Sequence, residues 1–244
     1  AVFSDLKNVK PSMVFRKGEL VSVNGKFVGK KIKISGLVRG SINVRWLAHK
    51  DFNIPAQKQN INVIEVVPRQ IITKKRVLPA RIEKGFAVSD IKRDILKMVI
   101  VERHMSSGSM GKGFVKGFGL KKGAIASSVA HDAHNILCVG ADDQSLFTAC
   151  VEVVKMGGGL CVVDGEKVLG KLPLPIAGLM TDKPLEYVVR ELEKLVTISK
   201  KLGCTLDDPF MTLSFLALPV IPEIKLTDKG LVDVTKMKII GLFV

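Results

Sequence analysis

Aromatic residues are scarce in this sequence: 5% of 244 positions, with one tryptophan and one tyrosine. Single-stranded nucleic acid is gripped by stacking bases on several aromatic faces, and few are on offer. Cysteine is scarce as well, and Cys138, Cys150, Cys161 and Cys204 show no paired spacing of the kind zinc sites or redox motifs use. Three of them sit inside apolar stretches, which reads as buried free thiols in a reducing compartment and places the expectation in the cytoplasm. No apolar run is long enough to cross a bilayer; the longest, around 215–221, is broken by Pro219. No charged start followed by an apolar stretch opens the sequence, so no secretory signal is read from it. Methionine does not open it either, and Ala1 in that place is expected to mark a piece of a longer chain.

Hydrophobic residues make up 47% and charged residues 25%, the balance of a globular protein with a core large enough for one big domain or two small ones. The net charge of +15 is unevenly spread. Residues 1–100 carry 21 Lys and Arg against 7 Asp and Glu, a net of +14, and residues 101–244 carry 17 against 16, a net of +1. A basic half is compatible with nucleic acid, with an acidic partner domain, or with an ordinary solvated surface.

The first segment reads as β-hairpins. Met13-Val14-Phe15 is followed by Lys17-Gly18, and Val21-Ser22-Val23 by Asn24-Gly25. Asn-Gly between strand-like runs favours a two-residue hairpin turn, because both positions need positive φ. Lys31-Ile32-Lys33-Ile34 and the stretch from Asn60 to Val67 alternate with period 2, which predicts short half-exposed strands. Ile91, Ile95 and Met98 fall at helical spacing and predict a helix over 88–99. Beyond residue 101, strands are predicted at 124–129 and 136–139, the second apolar on both faces. Asp142 can cap a helix carrying the stripe Leu146, Cys150, Val153 and Val154, with Gly157 at its end. A strand at 160–163 follows. A second helix starts near Pro184, with Leu185, Val188, Val189, Leu192, Leu195 and Val196 as its buried face. These elements predict an α/β or α+β fold: a mixed sheet with two long amphipathic helices, preceded by a small β-sandwich segment.

The clusters that could carry chemistry are few. His131-Asp132-Ala133-His134 could ligate a metal or shuttle protons, but two histidines three apart lack a third ligand, and a substrate-facing or structural polar loop is the better reading. The glycines between 108 and 123 match neither a P-loop nor a dinucleotide fingerprint, so they read as tight turns or close backbone approaches. Ser127-Ser128 lacks the nucleophile elbow of a serine hydrolase. Glu102-Arg103 reads as a surface charge pair with a structural His104 beside it, Cys161 as core, and His49 has no neighbour in sequence to work with.

The ordered runs Val101-Glu102-Arg103-His104, Gly111 to Leu120, Gly123 to Asn135, Gly157-Gly158-Gly159, Leu172 to Met180 and Asp208 to Val234 resemble the C-terminal domain of bacterial and archaeal adenine deaminases, over about residues 85–244. Residues 1–35 resemble the stretch that completes the small β-sandwich of that amidohydrolase family, which leaves 36–84 as a β-rich connecting segment. Two positions depart from the family pattern: Ala133 stands where Ser is common, and Met105 where a second His is common. The resemblance implies a hydrolase that converts adenine and water to hypoxanthine and ammonia in purine salvage. It implies a binuclear iron or manganese centre held by a barrel upstream of Ala1. This sequence has no H-x-H pair, so no metal is expected in it and its catalytic ligands are expected in that barrel. The expected partners are the upstream barrel, adenine and further copies in a homo-oligomer, without nucleic acid or membrane. His104, Ser128, His131, Asp132, His134 and Asn135 are the candidates for a lid or substrate-pocket wall. A basic nucleic-acid-binding module and a purely structural or oligomerising domain remain the alternatives.

Overall fold

Two tight turns set the shape of the N-terminal unit, which spans residues 1–37; a second unit spans 38–244. The computed structural model describes residues 1–7, 9–30 and 39–244, so the alternating stretch Lys31-Ile32-Lys33-Ile34 lies outside the described residues. Lys17 and Gly18 have φ of 50° and 80°, and Asn24 and Gly25 have 48° and 77°. That pairing of left-handed residues matches the right-handed twist of the strands it joins. Strands β1 (Val2–Phe3), β2 (Pro11–Arg16), β3 (Glu19–Val23) and β4 (Lys26–Phe27) form one antiparallel sheet in that order.

The second unit is built on an eight-stranded sheet. Its strands are β5 (Asn60–Val66), β6 (Thr73–Pro79), β9 (Ile95–Val101), β10 (Met110–Lys116), β11 (Ala124–Ser127), β12 (Ile136–Gly140), β13 (Gly159–Asp164) and β14 (Lys167–Pro173). Between them in the chain, β7 (Arg81–Glu83) and β8 (Phe86–Val88) pair as a hairpin. The sheet order is β14-β13-β11-β12-β9-β10-β5-β6, with only the β5–β10 pair parallel. The connecting segment expected over 36–84 therefore supplies two strands of this sheet. Helix α1 (Asp143–Lys155) covers one face; α2 (Leu185–Lys201) and α3 (Pro209–Phe215) cover the other. A small sheet of β15 (Ile224–Thr227), β16 (Gly230–Asp233) and β17 (Lys238–Ile240) packs over β10. Of the α/β and α+β alternatives expected from sequence, the mixed α+β arrangement is the one observed.

Both faces of the central strands are buried, and this explains where sequence periodicity misleads. In β9, Leu96, Met98 and Ile100 join the core beneath α2 and α3, while Val99 and Val101 join the core beneath α1. A strand covered on both sides needs apolar residues at every position, so it carries no period-2 signal. The helix predicted over 88–99 is instead the end of β8, a turn and β9. The turn is closed by reciprocal backbone bonds between Asp90 and Ile95, 2.7 and 2.9 Å. Likewise β5, expected to be half-exposed, is buried over most of its length because it lies between β10 and β6.

Lys97 shares the α1-facing side of β9 with Val99 and Val101. Fully buried, it donates to Asp143 Oδ1 at 2.6 Å and to the Phe52 carbonyl at 3.0 Å, tying the first turn of α1 to the sheet. Asp142 caps α1 as predicted, accepting the Ser145 N–H at 2.7 Å. The buried face of α2 is narrower than predicted. Leu195 is buried and Val188, Leu192 and Val196 are partly so, but Leu185 and Val189 are exposed. The helix packs on β14 and β13, the edge of the sheet, which cannot cover the wide apolar stripe.

One close approach fixes how the small sheet sits. A Cβ on Gly111 in β10 would lie 1.8 Å from the Thr227 carbonyl oxygen, whereas a Cβ on Gly113 would meet the tip of the Leu226 side chain at 3.4 Å. Gly111→Ala is expected to lower stability by about 2 kcal/mol or more, because backbone must move. Gly113→Ala is expected to cost less than about 1 kcal/mol. Thermal or denaturant unfolding of the two variants checks the contrast; equal losses would show that the turn at 227 yields freely.

Candidate functional site

Strand register brings four loops to one end of the sheet. Met110 and Ile136 both pair with Val101, Ser127 pairs with Leu137 and Leu160, and Gly159 pairs with Pro173. The loops 102–109, 128–135, 157–158 and 174–180 therefore emerge together. The segment Ser41–Trp46 runs beside the first of them, held by Asn43 N–H to the Arg103 carbonyl at 2.7 Å and Ser106 N–H to the Asn43 carbonyl at 3.0 Å.

Arg103 sits at the centre of this gathering with 2% of its surface exposed. Its Nε–H donates to the His134 carbonyl, one terminal nitrogen to the Ser41 carbonyl at 3.2 Å and the other to the Ala177 carbonyl at 3.1 Å. Burial lowers its pKa, but a guanidinium stays charged in any case. Three carbonyl dipoles thus stand in for a counter-ion. A Cβ at Gly178 would lie 2.7 Å from the guanidinium, so glycine is needed there for the loop to close on it.

Glu102 faces a different set of groups. Its carboxylate accepts the N–H groups of His104, Met105 (2.8 Å) and Ser107 (3.0 Å), and the Ser107 hydroxyl at 2.8 Å. Burial would raise its pKa, but these hydrogen bonds together outweigh burial and hold it at about 2. The expectation of a surface ion pair is corrected here: Glu102 and Arg103 are both buried, and each is satisfied by backbone rather than by the other. Adjacent residues leaving a strand point to opposite sides, so a salt bridge between them was disfavoured from the start. The sequence did hold a signal, since Arg103 continues the alternation of Lys97, Val99 and Val101.

The predicted site residues are brought together, with different degrees of access. His104 is exposed and its Nε2 lies 2.8 Å from the Ala133 carbonyl, which can only accept, so Nε2 carries the proton. His131 stacks on Phe215, with centroids 3.8 Å apart and planes inclined by 17°. Its Nδ1 is 2.8 Å from Ser214 Oγ, whose own hydrogen is engaged by the Met211 carbonyl at 2.8 Å. His131 therefore donates through Nδ1 and, when neutral, keeps Nε2 as a free acceptor. Asp132 is exposed with φ of 77°. His134 is half-buried, and its Nδ1 is buried without a partner. Asn135 is buried; its Nδ2 donates to Asp228 Oδ1 at 3.3 Å and its Oδ1 is unpartnered. Ser128 is fully buried and bridges two loops, accepting the Gly159 N–H at 2.7 Å and donating to the Gly178 carbonyl at 2.6 Å. Its place is behind the site, holding loop 174–180.

A cavity of about 220 Å³ opens beside this cluster, with Asp132, Asn135, Asp228 and Lys229 among apolar walls that include Ile100 and Pro219. A larger one, about 690 Å³, is lined by residues 68–71, Asp207, Asp208 and Met211 and by Phe215, the ring on which His131 stacks. Among the described residues, no three His, Cys, Asp or Glu side chains converge to hold a metal ion, so these side chains do not fit a binuclear centre. The four thiols are free and buried, and burial pushes those of Cys138, Cys161 and Cys204 up, which makes them inert. No helix among the described residues is long and apolar enough to cross a membrane.

The family model of the adenine deaminase C-terminal domain matches residues 70–238. The chain is 46% identical over 240 residues to an adenine deaminase of Dehalococcoides mccartyi, covering 98% of this chain and 42% of that protein. It is 47% identical over 242 residues to adenine deaminase 2 of Carboxydothermus hydrogenoformans, with the same coverage. A Desulfatibacillum aliphaticivorans adenine deaminase is 52% identical over 193 residues, or 79% of this chain and 34% of that protein. The chain thus spans less than half the length of these relatives.

The Glu102 carboxylate gives the loop 102–109 a pH signature. Its folded pKa of about 2 lies below the ordinary value of 4.5, so the stabilisation is complete above pH 4.5 and is lost as the pH falls from there through 2. The full difference amounts to about 3 kcal/mol. Glu102→Gln is expected to lower stability at pH 7 by about 1–3 kcal/mol and to flatten the acid limb of the stability profile between those two values. Unfolding curves of both proteins across that range check it; parallel profiles would dismiss the role given to the carboxylate.

Proposed function

The chain belongs to the adenine deaminase family, and from that premise we propose that it is the C-terminal part of an enzyme that hydrolyses adenine to hypoxanthine and ammonia. In this reading the chemistry of water activation resides in the upstream barrel, with iron or manganese as its metal. The described residues hold no side-chain set that fits such a centre. This chain's contribution is to cover the barrel mouth and complete the wall of the substrate pocket. A cap of this kind excludes water and strengthens every polar contact inside.

One observation carries the reading: strand register and Arg103 bring His104, His131, Asp132, His134 and Asn135 to a single end of the sheet. Adenine presents ring-nitrogen acceptors and an exocyclic amine donor. The cluster offers acceptors for that amine: the free ring nitrogen of His131 and the exposed carboxylate of Asp132. Arg103 and Ser128 act one layer back, by fixing the loops that carry these groups. Four buried thiols suit a reducing cytoplasm, where salvage of a free base takes place, and a homo-oligomer is part of the same reading.

In the full-length enzyme, His131→Ala and His134→Ala are each expected to lower kcat/KM for adenine by about tenfold or more, roughly 1.4 kcal/mol of transition-state stabilisation. Steady-state kinetics checks this beside the melting temperature. Unchanged kinetics with a lowered melting temperature would reduce the loop to a structural role and reject the pocket-wall reading.

A further inference from the structure

Exposed apolar side chains are ordinary when scattered, since no protein has enough polar surface to cover itself. Two of them stand apart here. Trp46, the only tryptophan, is 88% exposed, and Met105 is 81% exposed. Neither sits on a loose end. Met105 lies in the loop whose N–H groups at 104, 105 and 107 are all held by the Glu102 carboxylate. Trp46 follows the segment bonded to that loop through Asn43, whose side chain also donates to the His104 carbonyl at 3.2 Å. Beneath both, Arg103 fastens Ser41 and His134. The loop under Met105 is held in place, and Trp46 lies between two bonded points, Asn43 and Ala48, whose N–H donates to Asp51 Oδ2 at 2.8 Å; both side chains stand in water, where a tryptophan forgoes the burial of roughly 150–250 Å².

We propose that Trp46 and Met105 anchor the surface on which the upstream region of the full-length protein docks; this rests on the family reading above. The chain accounts for 42% of the length of the adenine deaminases it matches, so a large neighbouring body exists in those proteins to cover it. Charge argues against a second copy as the occupant. Arg45 and Lys50 flank Trp46, and among the described residues neither has an ion-pair partner. A two-fold contact through this surface would bring these cations against their own copies, whereas an upstream face carrying carboxylates would complement them.

The test introduces Trp46→Cys and Met105→Cys singly, in the 244-residue chain and in the full-length protein, with Leu185→Cys, 73% exposed on α2, as reference. The native cysteines are buried, so background alkylation by maleimide is slow. Modification at 46 and 105 is expected to slow by about tenfold or more in the full-length protein, with position 185 reacting equally in both. Amide exchange of the unsubstituted proteins gives a second readout, with protection gained over 43–47 and 103–108 in the longer form. Equal rates at 46 and 105 in the two forms overturn the proposal. So does slow modification in the shorter chain that accelerates on dilution, which identifies a second copy as the occupant. Adenine turnover of the unsubstituted full-length protein is scored separately: an active enzyme with unprotected Trp46 and Met105 rejects only the docking surface, and an inactive one with both protected rejects only the catalytic reading.

Discussion

The buried guanidinium of Arg103 is the contact on which the candidate site depends. Burying a charge without a carboxylate is costly unless its donors are met, and here backbone carbonyls from three separate segments meet them. The consequence runs in both directions. The carbonyls neutralise the cation, and the cation fixes Ser41, His134 and Ala177 relative to the end of β9. Lysine could not replace it, because its single nitrogen cannot reach three diverging acceptors as a planar fork does. Glu102, one residue earlier, does the matching work on its own loop with accepted rather than donated bonds. Two adjacent residues of opposite charge thus organise different loops, each through backbone.

Charge elsewhere follows the same economy. The excess of cations in the first hundred residues is compatible in sequence with nucleic acid, an acidic partner domain or an ordinary solvated surface. In space, several of these cations reach acids from the other half of the chain: Arg39 pairs with Asp182, Arg69 with Asp207, Lys75 with Asp233 and Lys97 with Asp143. The exposed pairs contribute little to stability. They do show that a charge imbalance along the sequence need not be an imbalance over the folded surface. Lys97 goes further inward, since its ammonium is buried at the junction of sheet, helix and the turn at Phe52.

Legibility followed the range of the interactions involved. The hairpins at Lys17-Gly18 and Asn24-Gly25, the cap at Asp142 and the buried strand at Ile136–Gly140 were readable, because each is set by a few neighbouring residues. The stretch 88–99 was misread as a helix, because Ile91, Ile95 and Met98 fit one period while burial on two faces demands no period at all. The polar loop His131–Asn135 was visible as a dense polar insert between two apolar strands, and it lies beside His104, whose Nε2 is 2.8 Å from the Ala133 carbonyl. Its tautomers, its stacking on Phe215 and the retreat of Ser128 into the core came from residues more than thirty positions away or from opposing backbone.

By itself the sequence determined the tight turns, the helix cap and the family, and narrowed the class to α/β or α+β, because turn residues, caps, apolar runs and ordered motifs are all written in contiguous stretches. Only the tertiary structure decided that Glu102 and Arg103 are buried organisers and not a surface pair. It alone decided which histidine nitrogens are free, and that Trp46 and Met105 stand in solvent. Those outcomes depend on strand register and on which distant carbonyls converge at one end of a sheet, and no spacing along the chain encodes a convergence of that kind.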